Sequence, residues 1–246
     1  MNRNPADYRD RTYRNRILKN DLKIFSVTIR ETDIFISADS DLTQLAFASV
    51  HRFRSSIESY IVVHREFLTS LSPVPYDEFA PEIVREMMSV SGKAGVGPMA
   101  AVAGAIAEYV GRDLLQYTRN VIIENGGDIY LKSMNDVHVG LFAGRSPLAD
   151  RVSIKVRKEE MPLGVCTSSG TVGHSLSFGC ADACCVKSGS AALADAAATA
   201  VGNLVKSKKD IQNALKAGMK IEGVLGIVII VGDQLGAVGD VELAGE

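Results

Sequence analysis

Two β-rich runs, residues 23–30 and 33–37, open the patterned part of the chain. The short Glu31-Thr32 link between them predicts a tight hairpin, although it offers neither Gly nor Asn. The period then changes. Leu42, Leu45, Ala46, Val50, Phe53, Ile57 and Ile61 recur at helical spacing, which predicts a long helix from an Asp39 or Ser40 cap to about residue 68. Its other side carries His51, Arg52, Arg54, Glu58, Arg65 and Glu66 and reads as a solvated face. Pro73 and Pro75 mark a loop, and Pro81 opens a short helix through residue 88.

Residues 91–98, Ser-Gly-Lys-Ala-Gly-Val-Gly-Pro, form a glycine-rich stretch ahead of a small-residue helix over 99–110. Backbone N–H groups and a helix N-terminus can cradle an anion, so this stretch is a candidate phosphate site. Lys93 precedes the last glycines, which excludes a Walker motif, and no strand leads into it, which excludes a clean dinucleotide fingerprint. Strands are expected at 121–124, 129–131, 137–142, 152–156, 163–167, 184–186, 224–231 and 238–243, with helices at 190–205 and 211–217. The class is mixed α/β. Residues 100–111 also align without gaps with residues 191–202, and Gly127-Asp128-Ile129-Tyr130-Leu131 echoes Gly239-Asp240-Val241-Glu242-Leu243. Both echoes suggest an internal duplication.

Composition narrows the picture. The 246 residues are 46% hydrophobic and 23% charged with a net charge of -2, enough for a buried core and without a global pull toward nucleic acid or membrane. Aromatics are only 6% and Trp is absent, so base-stacking platforms are not expected. The longest apolar run, 224–231, is too short to span a bilayer, and the polar start carries no apolar export segment, so a cytoplasmic location is expected. Residues 1–20 read as a polar arm and 21–246 as a single domain. All four cysteines lie between Cys166 and Cys185, which raises metal, redox or thiol chemistry beside simple burial.

Three stretches carry candidate chemistry. Asp195 and Thr199 lie four apart in an alanine-rich helix, so a carboxylate and a hydroxyl share one face, a hard-cation donor pair or an internal hydrogen bond. Asn125-Gly126-Gly127-Asp128 follows a strand; its glycines let backbone approach a ligand closely, and its polar ends bond a ligand or fix the turn. His174, among Gly, Ser and Thr, has the acid–base range of a general base or a phosphate partner, or is hydrogen-bonded within its loop. The Cys180, Cys184, Cys185 spacing does not suit structural zinc.

Taken in order, Asn125-Gly126-Gly127-Asp128, the Ser169-Gly170-Thr171 loop with His174, and the 194–199 segment holding Asp195 and Thr199 resemble the motifs of the ApbE-like superfamily, which includes FAD:protein FMN transferases. The resemblance covers roughly residues 20–246, and is strongest to an uncharacterised cytosolic branch with Ser-Gly-Thr-Val-Gly-His-Ser-Leu-Ser-Phe-Gly as at residues 169–179. It implies an ApbE-like fold with two intertwined repeats and mixed β-sheets flanked by helices. It further implies Mg2+ held by Asp195 and Thr199, His174 as catalytic base, and binding of FAD or a similar phosphate-bearing small molecule through Asn125, Gly126, Gly127, Asp128, Ser169, Gly170 and Thr171. FMN transfer from FAD is the implied reaction. The chain departs from the transferases after His174, where Ser175-Leu176-Ser177-Phe178-Gly179 replaces an Asp-Pro-x-Thr-Gly type segment, and it lacks their aromatic flavin-stacking pattern in the N-terminal hairpin and helix. The alternatives are a cysteine-based sulfur relay through Cys166 or Cys180 and a non-enzymatic nucleotide-binding protein; a homodimer is left open.

Overall fold

The computed structural model describes residues 22–144, 146–149, 151–170 and 178–245. The polar arm therefore lies outside the described residues, as do Thr171 and His174.

The expected hairpin forms from β1 (Lys23–Ile29) and β2 (Thr32–Ala38), paired antiparallel with Ile29 opposite Thr32. With no glycine in the link, Arg30 itself takes the left-handed conformation at φ 53. The long helix is shorter than expected. α1 (Thr43–Val63) starts behind Leu42, and His64 separates it from the short α2 (Arg65–Thr69). Asp39 does not cap it. Its carboxylate accepts from the Thr118 hydroxyl and from the Arg119 and Asn120 N–H groups, tying the end of β2 to the segment ahead of the third strand.

The glycine-rich stretch is no anion cradle. α3 (Glu82–Ala94) runs through Ser91, Gly92 and Lys93 and ends on Gly95 in the left-handed conformation. A Cβ on Gly97 would lie 1.8 Å from the Ser70 carbonyl oxygen, so that glycine allows a backbone-to-backbone contact. A 3-10 turn (Pro98–Ala101) then leads into α4 (Val102–Leu114). A helix C-cap accounts for Gly95 and a backbone contact for Gly97, while Gly92 borders open space.

The remaining elements are β3 (Val121–Asn125), β4 (Asp128–Lys132), β5 (Val137–Gly140), β6 (Val152–Val156), β7 (Leu163–Ser168), β8 (Ala183–Ser188), α5 (Ala191–Leu204), α6 (Ile211–Gly218), β9 (Val224–Val231), β10 (Gln234–Gly239) and β11 (Glu242–Gly245). The last expected strand is thus two. β10 pairs with β9, and β11 crosses to a second sheet beside β6. The large sheet runs β1-β2-β3-β4-β7-β8-β9-β10 and the small one β11-β6-β5. The mixed α/β class holds, with antiparallel pairing in both sheets.

The repeat is visible in the strand order. Hairpins β1-β2 and β3-β4 fill one half of the large sheet, and β7-β8 and β9-β10 fill the other, each pair separated in sequence by helices. By position this equates α1 with α5 and α4 with α6. The gapless alignment of 100–111 with 191–202 instead matches two alanine-rich helices that cross each other, and small residues at the crossing explain the likeness.

One face of the large sheet packs on the helices, and the other on the small sheet, giving two apolar clusters. Lys187 is buried on the second side and fully paired, its Nζ donating to Glu160 at 2.9 Å and to the Asp240 carboxylate at 3.0 Å. Among the described residues no single helix is long and apolar enough to cross a membrane; α3 with the 98–114 stretch passes on length and composition, but the pair is bent by 102°. Gly97→Ala is expected to cost about 1–3 kcal/mol in urea unfolding by overpacking the Ser70 contact. Lys93→Ala, in contrast, should leave phosphate binding unchanged in a titration.

Candidate functional site

The site grows from the middle of the large sheet. Asn125 and Asp128 face each other across a two-residue turn whose glycines sit at φ 68 and φ 103, the left-handed pair that a tight hairpin needs. The Gly127 N–H donates to Glu124 Oε1 at 2.7 Å, and Asn125 Nδ2 donates to the Ala103 carbonyl at 3.0 Å. The turn is therefore pinned to the start of α4. Asp128 is buried and pairs in register with Cys166 on β7.

α5 supplies the second carboxylate. Asp195 Oδ2 accepts from the Gly104 N–H at 2.9 Å, so this side chain satisfies an amide at the N-terminus of α4. Gly104 is required there: a Cβ would lie 2.3 Å from the Ala191 carbonyl oxygen and 2.8 Å from Asp195 Cβ. Thr199 lies one turn further along α5 and is half-buried.

The electrostatics are those of uncompensated negative charge. Burial pushes Asp195 up to about 7, against hydrogen bonds from the Gly104 and Ala103 N–H groups. Burial, then the Asp195 charge, then Glu124 raise Asp128 well above the usual carboxylate range, although the Cys166 thiol and the Thr167 N–H oppose this. Burial and the two aspartates hold Cys166 as a thiol, and its Sγ lies 3.3 Å from the Ala191 carbonyl as a donor.

Hard oxygen donors suit a hard cation, and Mg2+ keeps several waters while taking one or two carboxylates plus phosphate oxygens. Asp128, Asp195 and Thr199 fit that pattern. Among the described residues no three His, Cys, Asp or Glu side chains gather as a metal cage, so waters and ligand oxygens would complete the shell.

A cavity of about 650 Å³ opens on the other side of the turn's anchor, lined by Ala103 and Asn125 but by neither carboxylate. Ile57, Ile61, Met99, Val102 and Ile106 form its apolar wall. Arg54, read from the sequence as solvated, lines it, its guanidinium tied to Thr32, Glu31 and Glu58. The periodicity of α1 shows the Glu58 partner four residues on but not Glu31 and Thr32, which come from the β1–β2 turn.

The structure thus gathers Asn125, Gly126, Gly127, Asp128 and Asp195. Ser169 is half-buried beyond the end of β7, and the Gly170 N–H donates to the Ala181 carbonyl at 2.9 Å. A Cβ on Gly170 would meet the Gly179 carbonyl oxygen at 2.2 Å, so this glycine serves a backbone contact. Two neighbours were not read from the sequence as parts of the site: the Cys166 thiol beside Asp128, and Glu108 on α4. No periodicity or spacing in the sequence pointed to Glu108, because its partners Ser190 and Ala192 come from another helix. Of the cysteines, Cys166, Cys184 and Cys185 are buried and Cys180 is exposed. Burial raises the pKa of all three buried thiols, which disfavours the reactive thiolate.

Comparison with known proteins gives the family and the fold. A family model described as AbpE bacteria matches residues 14–243. The UPF0280 protein of Methanococcus aeolicus is 42% identical over 221 residues, covering 87% of this chain and 89% of that protein. The UPF0280 protein of Methanocaldococcus jannaschii is 43% identical over 222 residues, covering 87% and 90%. Among solved structures, the Thermotoga maritima ApbE protein superposes with a TM-score of 0.60 at 12% identity, covering 88% of this chain and 96% of that one. The flavin transferase ApbE from Vibrio cholerae gives a TM-score of 0.56 at 12% identity, covering 89% and 97%.

The raised aspartates make a stability prediction. Between the ordinary carboxylate value of 3.8 and about 7, the folded metal-free protein holds a proton on Asp195 that the unfolded chain releases. Stability should therefore fall as pH rises through that window and level off above it. Asp195→Asn, which keeps an acceptor for Gly104, should flatten that slope in melting curves recorded with a chelator present.

Proposed function

Because the chain belongs to the AbpE bacteria family, we propose that it binds a flavin nucleotide or a similar phosphate-bearing ligand together with Mg2+, and transfers FMN from FAD. The observation that carries this reading is the Asp128–Asp195 pair, the first buried and the second half-buried, beside the Asn125-Gly126-Gly127-Asp128 turn, whose Asn125 also lines a largely apolar cavity. Two carboxylates raised by burial, Asp128 by the Asp195 charge as well, favour a bound divalent cation, and the cavity offers room for an apolar ring.

In this reading Asp195 and Thr199 hold Mg2+, with Asp128 at its side. The cation, when bound, neutralises charge on the phosphates. The glycine turn brings main chain close to the ligand, and Asn125 fixes that turn on α4. Ser169, Gly170 and Thr171 border the ligand from the loop after β7. His174 takes the proton from the acceptor hydroxyl. The location follows the sequence expectation of a cytoplasmic protein. The Vibrio cholerae structure is titled a flavin transferase, which supports the choice of ligand class.

Calorimetry tests the reading. FAD should bind in the presence of Mg2+ and not with a chelator, and Asp195→Ala should abolish the Mg2+-dependent part. His174→Ala should keep FAD binding while AMP release, followed by chromatography with a Ser- or Thr-bearing acceptor, stops. Wild-type protein that binds neither FAD nor Mg2+ overturns the proposal. The sulfur-relay alternative calls for a reactive thiol, and native-state labelling confined to Cys180 would rule out Cys166 as its carrier.

A further inference from the structure

Glu108 is 1% exposed on α4 and belongs to neither the carboxylate pair nor the cavity wall. One carboxylate oxygen pairs with Arg112. The other accepts from the Ser190 hydroxyl at 2.9 Å and from the Ala192 N–H at 3.2 Å. Ser190 is the N-cap of α5, and its oxygen in turn accepts from the Leu193 N–H at 3.2 Å. The first turn of α5 is thus satisfied through a side chain from α4. One turn on, Asp195 of α5 satisfies Gly104 at the first turn of α4. Each helix presents a carboxylate to the N-terminus of the other.

This exchange sits at a tight crossing. Ala191 is held between Gly104 on α4 and Gly164 on β7, where a Cβ would lie 2.3 Å from the Ala191 carbonyl oxygen and 2.3 Å from its Cα respectively. Steric contact limits how close α5 can come, but it does not hold the helix in place. Apolar packing holds α5 in the layer, and the acceptor on Glu108 supplies the directional link at its first turn, with Arg112 balancing the charge from α4 itself. We propose that Glu108 is a positioning residue for Asp195. By anchoring the first turn of α5, it sets where the Asp195 carboxylate stands between the start of α4 and Asp128. The inference rests on the reading of Asp195 as a cation ligand, while the anchor itself is measurable without any cation.

The test compares Glu108→Gln, which keeps a carbonyl acceptor, with Glu108→Leu, which keeps none, in the full chain well below the melting temperature. The metal-free readout is amide exchange of Gly104 relative to Ile229 in the buried β9. The second readout is the Mn2+ dissociation constant by calorimetry. Glu108→Leu should lose about tenfold in relative Gly104 protection and about tenfold in Mn2+ affinity, and Glu108→Gln should stay within about threefold on both. If Glu108→Leu lowers the melting temperature but leaves both readouts at the wild-type level, Glu108 only stabilises the fold and the proposal is overturned. If Glu108→Leu does not fold, Ser190→Ala removes one of the two links, and an unchanged Gly104 exchange ratio there overturns it equally. Wild-type protein that fails to bind Mn2+ refutes the cation reading alone, and the Gly104 ratio still decides the role of Glu108.

Discussion

The close crossing of α4 and α5 governs much of this structure. Ala191 has backbone on one side at Gly104 and on the other at Gly164, so nothing larger than hydrogen fits at either glycine. That constraint calls for a small residue at Ala191, and the buried face of α5 stays small beyond it, through Ala192, Ala194, Ala196, Ala197 and Ala198. It also explains why the charged residues of this layer reach helix ends. Two helix N-termini meet where the backbones touch, and unsatisfied amides there would be buried without water. Asp195 and Glu108 supply the acceptors.

The same arrangement creates an electrostatic imbalance. A helix N-terminus stabilises a carboxylate by about 0.3–2 kcal/mol. Asp195 has that contact and is still pushed upward, so burial outweighs the helix end. Asp128 is worse placed, with Asp195 and Glu124 both raising it and only a thiol and one amide opposing. Glu108 shows what balance looks like a short way along α4, where Arg112 neutralises it. The difference between the two carboxylate settings singles out the Asp128–Asp195 side as the place for a cation.

Much of the fold was legible in the chain. The strands, the hairpin turn at Gly126-Gly127 and the helix capped by Ser190 follow from period and turn chemistry, because local rules dominate there. The stretch over 91–98 resembles a phosphate loop because a helix C-cap and a link touching the Ser70 carbonyl call for the same small residues. Arg54 looked solvated because helical periodicity cannot see Glu31 and Thr32 arriving from another hairpin. The pairing of Asp195 was half legible: an aspartate in an alanine helix announces a partner, but the partner is a backbone N–H and carries no side-chain signal.

The cysteines follow from the same packing argument. Cys166 stands where α5 presses on β7, opposite Asp128 and against the Ala191 carbonyl. A small apolar residue fits the contact with the alanine helix, and its one S–H meets the Ala191 carbonyl there; a thiol meets both needs at once. Cys184 and Cys185 point to opposite faces of β8, one into each apolar cluster. Their clustering in the sequence therefore comes from two adjacent strands at the centre of the sheet. The thiol beside Asp128 gains its importance from the carboxylate it faces, and any chemistry at this centre starts from the aspartates.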